Sequence, residues 1–216
     1  MKKQILLMVC FALYLLTSCG GEKKEQQTDK SENSTNNQQS SEETTSENTY
    51  TIKDKNGATW VQIAINGDDL TVDIPNKIKL KGVKKDAEKT KYSDEKGTVV
   101  AEVKYKDESF KLRTPDGKLL WKVKLSGDKI KISNNEENEN PYEIKKKDNN
   151  NFKIEYQEKE LGKTKFSNNV IDIDGIGTDL KVPARQNLFA YGVLLLYDIP
   201  ETERYILLAE LLKKGL

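Results

Sequence analysis

Histidine is absent from this chain of 216 residues, and cysteine occurs only twice. Without histidine the chain lacks the commonest general base, the usual zinc ligand and every nucleophile system built on a Ser/His or Cys/His pair. A mechanism that uses carboxylates alone stays open in principle. Its candidates are Asp172, Asp174 and Asp179, around Gly175 and Gly177. We favour the structural interpretation of the same stretch, a strand end followed by a glycine turn.

Motifs for metals and cofactors are also lacking. The stretch 172–179 offers too few oxygen ligands at fixed spacing for a calcium loop, and Gly175-Ile176-Gly177 is too short for a GxGxxG phosphate loop. The formal net charge is only +1, whereas a nucleic-acid binder is usually far more basic. We therefore expect no enzyme activity, no cofactor, no metal and no nucleic-acid partner.

The amino terminus has the three parts of a secretory signal. Lys2 and Lys3 precede an apolar run from Ile5 to Leu16, and small residues follow. The residues Leu16-Thr17-Ser18-Cys19 resemble the lipobox of bacterial lipoproteins. That resemblance implies a signal peptide at 1–18 and a mature chain that begins at Cys19, with diacylglycerol on its thiol and a fatty acid such as palmitate on its amine. The alternatives are an ordinary signal peptide with an incidental cysteine, or an uncleaved anchor.

Lipidation at Cys19 would decide both location and redox chemistry. Two or more acyl chains hold a protein stably on a bilayer. Cys10 would leave with the signal peptide, so the mature chain would hold no internal disulfide. Gly20, rather than Asp, follows Cys19, which in enterobacteria-like sorting favours the outer membrane. We expect a lipid-anchored cell-envelope protein of a Gram-negative bacterium, and the sequence leaves open whether it faces the periplasm or the surface.

A polar linker separates Cys19 from the rest of the chain. Residues 20–49 include none from the apolar set and consist mainly of Ser, Thr, Asn, Gln, Glu and Lys. Such a segment cannot bury enough surface to offset the entropy of ordering it. We interpret 19–49 as the lipidated cysteine and a disordered tether with a span of roughly 30 Å.

Alternation of polar and apolar residues dominates 50–216 and predicts one mainly β domain. Polar and apolar residues alternate by turns in stretches such as Trp121–Leu125 and, from Ile171 on, Val170–Ile173. Turn signals lie between such stretches, which is typical of hairpins with one buried face. About twelve short strands are expected. The offset in residue number from Gly57 to Gly117 is 60, and the offset between the two tryptophans, Trp60 and Trp121, is 61. This offset predicts two repeated halves, 50–109 and 110–174, that close into an antiparallel barrel and so remove their open edges.

Two helices are expected after the strands. The run from Leu188 to Tyr197 is apolar at every angle of a helical wheel, so protein must cover it, and as a helix of roughly 15 Å it would plug the barrel from end to end. Gly192 is expected to mark close approach to an inward aromatic side chain. A capping box with Asp198 as N-cap and Glu201 at N3 predicts a second helix over 200–214, which Gly215 ends.

The carboxyl end also carries a family resemblance. The stretch from Asp172 to Pro183, followed by the apolar run up to Asp198, resembles the end of the tubby-like superfamily, which includes LURP-one-related proteins and phospholipid scramblases. The resemblance implies a twofold-repeated, roughly twelve-stranded barrel closed around a hydrophobic C-terminal helix. The chain departs from the pattern in its second helix and shows no scramblase calcium-binding or palmitoylation motif, so that activity is not carried over. Members are associated with membrane phosphoinositide binding or have no known activity.

Lysines mark the candidate binding surface. Lys77, Lys79 and Lys81 alternate along one predicted strand, and Lys145 and Lys146 occupy the equivalent place in the second half. They form either a solvated outer face that blunts sheet edges or a basic patch for anionic lipid or acidic envelope glycan. We expect a lipid-anchored, non-enzymatic binding or structural module, whose membrane contact is the N-terminal lipid. The alternative is a barrel that handles lipid or binds anionic head groups, and a carboxylate-based enzyme comes last. Protein partners stay unknown.

Overall fold

Fourteen β-strands and two short C-terminal helices make up the part of the chain that the computed structural model describes, residues 49–216. The predicted signal peptide, Cys19 and almost all of the predicted tether lie outside these residues. The strands are β1 Thr49–Lys53, β2 Thr59–Asn66, β3 Asp69–Ile74, β4 Ile78–Asp86, β5 Lys89–Ser93, β6 Val99–Lys106, β7 Ser109–Arg113, β8 Leu119–Ser126, β9 Lys129–Ser133, β10 Tyr142–Lys146, β11 Asn151–Tyr156, β12 Lys159–Ser167, β13 Val170–Gly175 and β14 Thr178–Pro183. The helices are α1 Phe189–Gly192, which a 3-10 turn at Val193–Leu195 extends, and α2 Glu201–Lys213.

The strands form one antiparallel meander. Each strand pairs with the next in the chain, from β1 to β14, and the two edge strands approach each other without forming a ladder. The sheet is therefore a nearly closed barrel, which confirms the mainly β, antiparallel fold. The predicted count of twelve strands is wrong. Region 50–109 holds the six expected strands, β1–β6, but region 110–174 holds most of β7–β13, and β14 follows it.

The offset of 60 consists of three equal steps, each the length of one hairpin. Leu70, Thr90, Phe110 and Ile130 are the first buried residues of β3, β5, β7 and β9, and their residue numbers rise in steps of twenty. Because each hairpin contains two strands, the pattern places equivalent residues on every second strand around the barrel. The spacing is lost after β9, where a longer loop leads to Pro141.

Most of the apolar run Leu188–Tyr197 is buried as predicted, with Val193–Leu196 no more than 3% exposed, but Tyr197 at its end is 45% exposed. It does not form the continuous helix that the sequence predicted. One α-helical turn changes to a 3-10 turn at Val193, and the backbone of Leu196 leaves the helical region (φ −91°, ψ 69°). Neither helical segment has a side-chain cap, so packing against the sheet, rather than local hydrogen bonding, holds this run in place.

Helix α2 is the longer and more completely covered element. All nine residues from Arg204 to Leu212 are buried, so the helix presents no solvated face over that stretch. The predicted capping box is wrong: Pro200 is the N-cap, and the Asp198 carboxylate instead accepts a hydrogen bond of 3.1 Å from the Tyr142 hydroxyl. The predicted stop at Gly215 is confirmed, since Gly215 has φ +69° and its N–H bonds the Leu212 carbonyl.

One hydrophobic core joins the inward side chains of the strands to both helices. Gly192 lies against β10 and β11, where a Cβ would come within 2.9 Å of Ile144 and 3.1 Å of Ile154. The predicted close approach is confirmed, but the neighbours are aliphatic and not aromatic. Gly82 of β4 makes the corresponding aromatic contact, because the ring of Tyr92 on β5 lies over it.

Candidate binding surfaces of the barrel

The outer face of β5–β9 carries a large excess of positive charge. Inward residues of these strands are apolar or tyrosine and threonine, so alternation turns the residues between them to the outside. The outward set contains ten basic side chains and one acid, Glu102. We call this surface the basic face, and its basic residues are Lys89, Lys91, Lys104, Lys106, Lys111, Arg113, Lys122, Lys124, Lys129 and Lys131.

Like charges lie directly opposite each other within this face. Lys104 of β6 pairs in register with Lys89 on one side and Lys111 on the other, and Lys111 also pairs with Lys122 of β8. Such a row is destabilising unless anions compensate it. Glu136 supplies part of the compensation, since its carboxylate lies 2.6 Å from Lys111 Nζ and 2.6 Å from Arg113 Nη2.

Glu102 compensates a second part of the row. Its carboxylate is 3.0 Å from Lys91 Nζ, and the hydrogen bond from Lys91 holds the pKa of Glu102 below its usual value, against the opposing effect of burial. Lys122 bonds the main-chain carbonyl of Glu136. Among the described residues, Lys104, Lys106 and Lys124 of the face have neither a carboxylate nor a side-chain hydrogen-bond partner. These three ammonium groups are the ones free to meet an external anion.

A surface depression of about 400 Å³ lies within the basic face. Lys104, Lys106 and Lys111 line it, and the small side chain of Ser109 leaves room between its neighbours on β6 and β8. Acidic residues of the turns, such as Asp86 and Glu88, also border the depression and limit the reach of the positive potential. The arrangement suits a small anionic group that touches the centre of the basic face.

The predicted lysine patch does not form one surface. Lys77 bonds to Glu201 at the start of α2, and Lys79 lies 3.5 Å from Asp73. Lys81 has no carboxylate partner in the described part of the chain, but β4, which carries it, lies six strands from β10. At about 4.8 Å per strand that is roughly 29 Å along the sheet. Lys77, Lys79 and Lys81 are therefore remote from Lys145 and Lys146.

Lys145 and Lys146 also point in different directions. Lys145 faces outward and bonds both Glu143, at 2.7 Å, and Glu155, at 2.6 Å. These two hydrogen bonds raise its pKa to about 12. Lys146 is the next residue of the same strand and opposes the inward Phe152. The charge of Lys145 is thus already balanced within the protein, and the two neighbours cannot act on one ligand.

The three carboxylates considered for catalysis lie on the hairpin β13–β14. Asp172 and Asp174 project outward, 40% and 65% exposed, and pair with Lys181 and Lys163 at 3.5 Å. Asp174 stands opposite Asp179 in the sheet. Within residues 49–216, no group of three or more acidic, histidine or cysteine side chains is arranged to hold a metal ion. Asp174 and Asp179 border a surface depression of about 500 Å³, whereas Asp172 does not line it.

A buried polar cluster ties α2 to the sheet. Glu210 is completely buried and accepts hydrogen bonds from the hydroxyls of Tyr92, at 2.8 Å, and Tyr105, at 2.6 Å. Tyr105 also contacts the Thr90 hydroxyl at 2.9 Å. Burial raises the pKa of Glu210, and the two tyrosine hydrogen bonds oppose that rise. Little in the sequence indicated this cluster, because a glutamate on an otherwise apolar helix resembles a solvated position.

The other end of α2 borders a hollow of about 300 Å³. Arg204 lines it and is only 8% exposed, and its guanidinium carbon lies 5.0 Å from the ring centre of Tyr197 and 5.5 Å from that of Tyr205. Trp60 forms another wall. We call this the Arg204 hollow. Sequence reasoning missed it, because Trp60 lies on the second strand and Tyr197 follows the last one, and only the tertiary fold brings them to one end of the barrel.

The fold and these surfaces define a class: a mainly β, nearly closed antiparallel barrel with two short C-terminal helices and a strongly basic face. Comparison of the chain with protein-family models, with curated proteins and with solved structures finds no match. The resemblance to the tubby-like superfamily and to the lipobox therefore stays a prediction. Neither described helix has the length and the apolar composition needed to cross a bilayer.

The sequence contains a spacing of lysines that indicates the basic face. It was missed because the repeat was interpreted as a unit of 60 residues. Lys104 and Lys124 recur at a spacing of twenty, and so do Lys91, Lys111 and Lys131. A lysine that recurs at the period of a hairpin returns to the same height on every second strand. Two such series on alternate strands therefore indicate a basic band, once the shorter unit is recognised.

Proposed function

We propose that this chain is a lipid-anchored protein of the bacterial cell envelope that acts as a non-enzymatic binding or structural module. Membrane attachment would come from acyl groups on Cys19, and the polar tether would hold the barrel away from the bilayer. We also propose that the sheet encloses α2 as a filled core. The bonds of Glu210 to Tyr92 and Tyr105, and of Glu203 to Trp121, support this enclosure because they join the helix to three separate strands.

Burial of α2 in the hydrophobic core is the observation that supports a module over a lipid container. Leu207, Leu208 and Leu211 of α2 are completely buried in the same core as the inward side chains of the strands. A lipid chain would need this volume, and protein interiors are close-packed. Binding by this module would therefore use its outer surface and not its lumen.

Lipid attachment can be tested by growing cells with an alkyne-tagged fatty acid and detecting label on the immunoprecipitated chain. The wild-type chain should take up label, and Cys19→Ala should abolish it, leaving unlabelled precursor or soluble envelope protein. Cys10→Ala is the matched control, since Cys10 is expected to leave with the signal peptide, and it should keep the label. Undiminished label in Cys19→Ala would contradict the proposal.

Anionic head groups are the second candidate, because the basic face leaves Lys104, Lys106 and Lys124 without carboxylate partners among the described residues. Each lysine near an anionic surface contributes about 1 kcal/mol at physiological ionic strength. The chain from Gly20 to Leu216, made without its leader, should float with vesicles of phosphatidylcholine and phosphatidylglycerol but not with phosphatidylcholine alone, and salt should weaken the binding.

A triple substitution locates that binding. Replacing Lys104, Lys106 and Lys124 with Gln should remove most of the flotation. Replacing Lys163, Lys165 and Lys181 with Gln removes the same charge from β12 and β14 and should leave most of it. Equal loss in both variants would reduce the effect to net charge and would refute a role for the basic face.

A further inference from the structure

We infer that the Arg204 hollow is a binding site for a carboxylate carried on a six-membered ring. The inference goes beyond the proposed function, since it uses neither Cys19 nor the basic face. The starting observation is an unpaired charge on α2. Arg204 is more than nine-tenths buried, yet no carboxylate of the described residues pairs with it. Its Nε is buried without a hydrogen-bond partner.

Buried guanidinium groups are normally paired, because removing their charge from water is costly. The natural partners of Arg204 would be the acids of the same helix. Glu201, which also lines the hollow, is bonded to Lys77, and Glu203 accepts the indole N–H of Trp121. Both acids are therefore committed elsewhere, and the hollow contains a positive charge that an external anion can neutralise.

The aromatic side chains decide how such an anion can approach. Tyr197 and Tyr205 lie against the guanidinium of Arg204, at 5.0 and 5.5 Å from its carbon to their ring centres. An aromatic ring beside the guanidinium does not neutralise its charge, so its donor edge still suits an anionic ligand. A carboxylate matches that edge, because its two oxygens can accept parallel N–H bonds.

The remaining walls favour a ring on the carboxylate. Trp60, Ile74 and Pro75 give the hollow apolar surface, and Tyr197 is 45% exposed, which is unusual for a large apolar side chain in this barrel. The volume of about 300 Å³ is at the lower limit of small-molecule sites, which is suitable for one ring and not for an extended chain. Two sources share this chemistry: a uronic acid of an envelope glycan and a free aromatic acid.

Calorimetric titration of the full chain in detergent tests the inference and separates the sources. The probes are D-glucuronate and benzoate, and their neutral counterparts are D-glucose and benzyl alcohol. Saturable binding of glucuronate alone supports the glycan source, and binding of benzoate alone supports the aromatic acid. Absence of binding by both acids, or equal binding of an acid and its neutral counterpart, overturns the proposal.

Two variants place the binding in the hollow. Arg204→Gln should weaken the acid that binds by about tenfold or more, because it removes the charge from the bidentate contact. Tyr197→Ala changes an exposed side chain, so it keeps the test valid where Arg204→Gln fails to fold, and it should also weaken binding. Ile176→Ala is the control, because Ile176 is, within residues 49–216, the other exposed large apolar residue and does not line the hollow. Unchanged binding in Tyr197→Ala, or an equal loss in Ile176→Ala, overturns the assignment.

Discussion

The hydroxyl of Tyr105 donates a hydrogen bond of 2.6 Å to the carboxylate of Glu210, although 105 residues separate the two in the chain. Tyr92 donates a second bond of 2.8 Å to the same carboxylate. Glu210 is therefore the polar contact that fixes the position of α2 relative to β5 and β6. A buried carboxyl with two donors specifies one placement of a helix that leucines alone would allow to slide.

Truncation of Glu210 should be more damaging than a conservative change. Glu210→Ala would leave the Tyr92 hydroxyl buried without an acceptor and would open a cavity, so we expect a loss of about 3 kcal/mol in the free energy of unfolding. Glu210→Gln keeps an acceptor oxygen and the side-chain volume and should cost less. Urea denaturation measures both. A Gln variant less stable than the Ala variant would show that the hydrogen bonds do not stabilise this contact.

Glu210 should also make stability depend on pH in an unusual direction. Burial raises the pKa of Glu210 in the folded protein above its usual value of 4.5. The folded state therefore binds the proton more tightly than the unfolded state, and this contribution is complete below pH 4.5 and is lost as the pH rises through the folded pKa. Relative to the wild type, Glu210→Gln should gain stability as the pH rises above 4.5 and through the folded pKa of Glu210. A stability difference that does not change with pH would contradict the raised pKa.

Glu155 should have the opposite effect at acid pH. Hydrogen bonds from Lys145 and Lys153 lower the pKa of Glu155 from 4.5 to about 2. The unfolded state then binds the proton more tightly, so the contribution of Glu155 is present above pH 4.5 and is lost as the pH falls towards 2. Glu155→Gln should make unfolding less sensitive to acid over that window, as followed by circular dichroism. The exposed Glu95→Gln is the control, and an identical acid response in the two variants would refute the role of Glu155.

Gly192 should not tolerate a side chain. An alanine Cβ would lie 2.9 and 3.0 Å from Ile144 Cγ2 and Cδ1 and 3.1 Å from Ile154 Cγ1, so the core must shift to admit it. We expect Gly192→Ala to lower the free energy of unfolding by about 1 to 3 kcal/mol, the usual effect of overpacking. Ile144→Val removes Cδ1 and should restore part of this loss in the double variant. If the two changes in the free energy of unfolding simply add in the double variant, a side chain at position 192 does not clash with Ile144.

Period-two alternation was enough to predict a mainly β domain of antiparallel hairpins, because a strand with one buried face leaves that pattern in any tertiary context. The same pattern led to an incorrect count of twelve strands. The offset of 60 was a true repeat, but the shorter period inside it, one third as long, sets the arrangement of strands around the barrel. The hairpin of β13 and β14 was undercounted because the Gly175–Gly177 turn was interpreted as the end of the sheet.

Local patterns in the chain were sufficient to predict the mainly β character, the burial of most of the apolar run at 188–197 and the stop at Gly215. They also predict the lipid site at Cys19, which lies outside the described residues. These features depend on composition and on neighbours a few positions apart. Which lysines are free was settled by the fold: Lys77 meets Glu201 across 124 residues, and Lys145 sits between two glutamates. The fold also buries Glu210 and Arg204 on one helix, the first with partners and the second without a carboxylate. Ion pairing and burial depend on distances between strands and helices far apart in the chain, and neighbouring residues do not encode those distances.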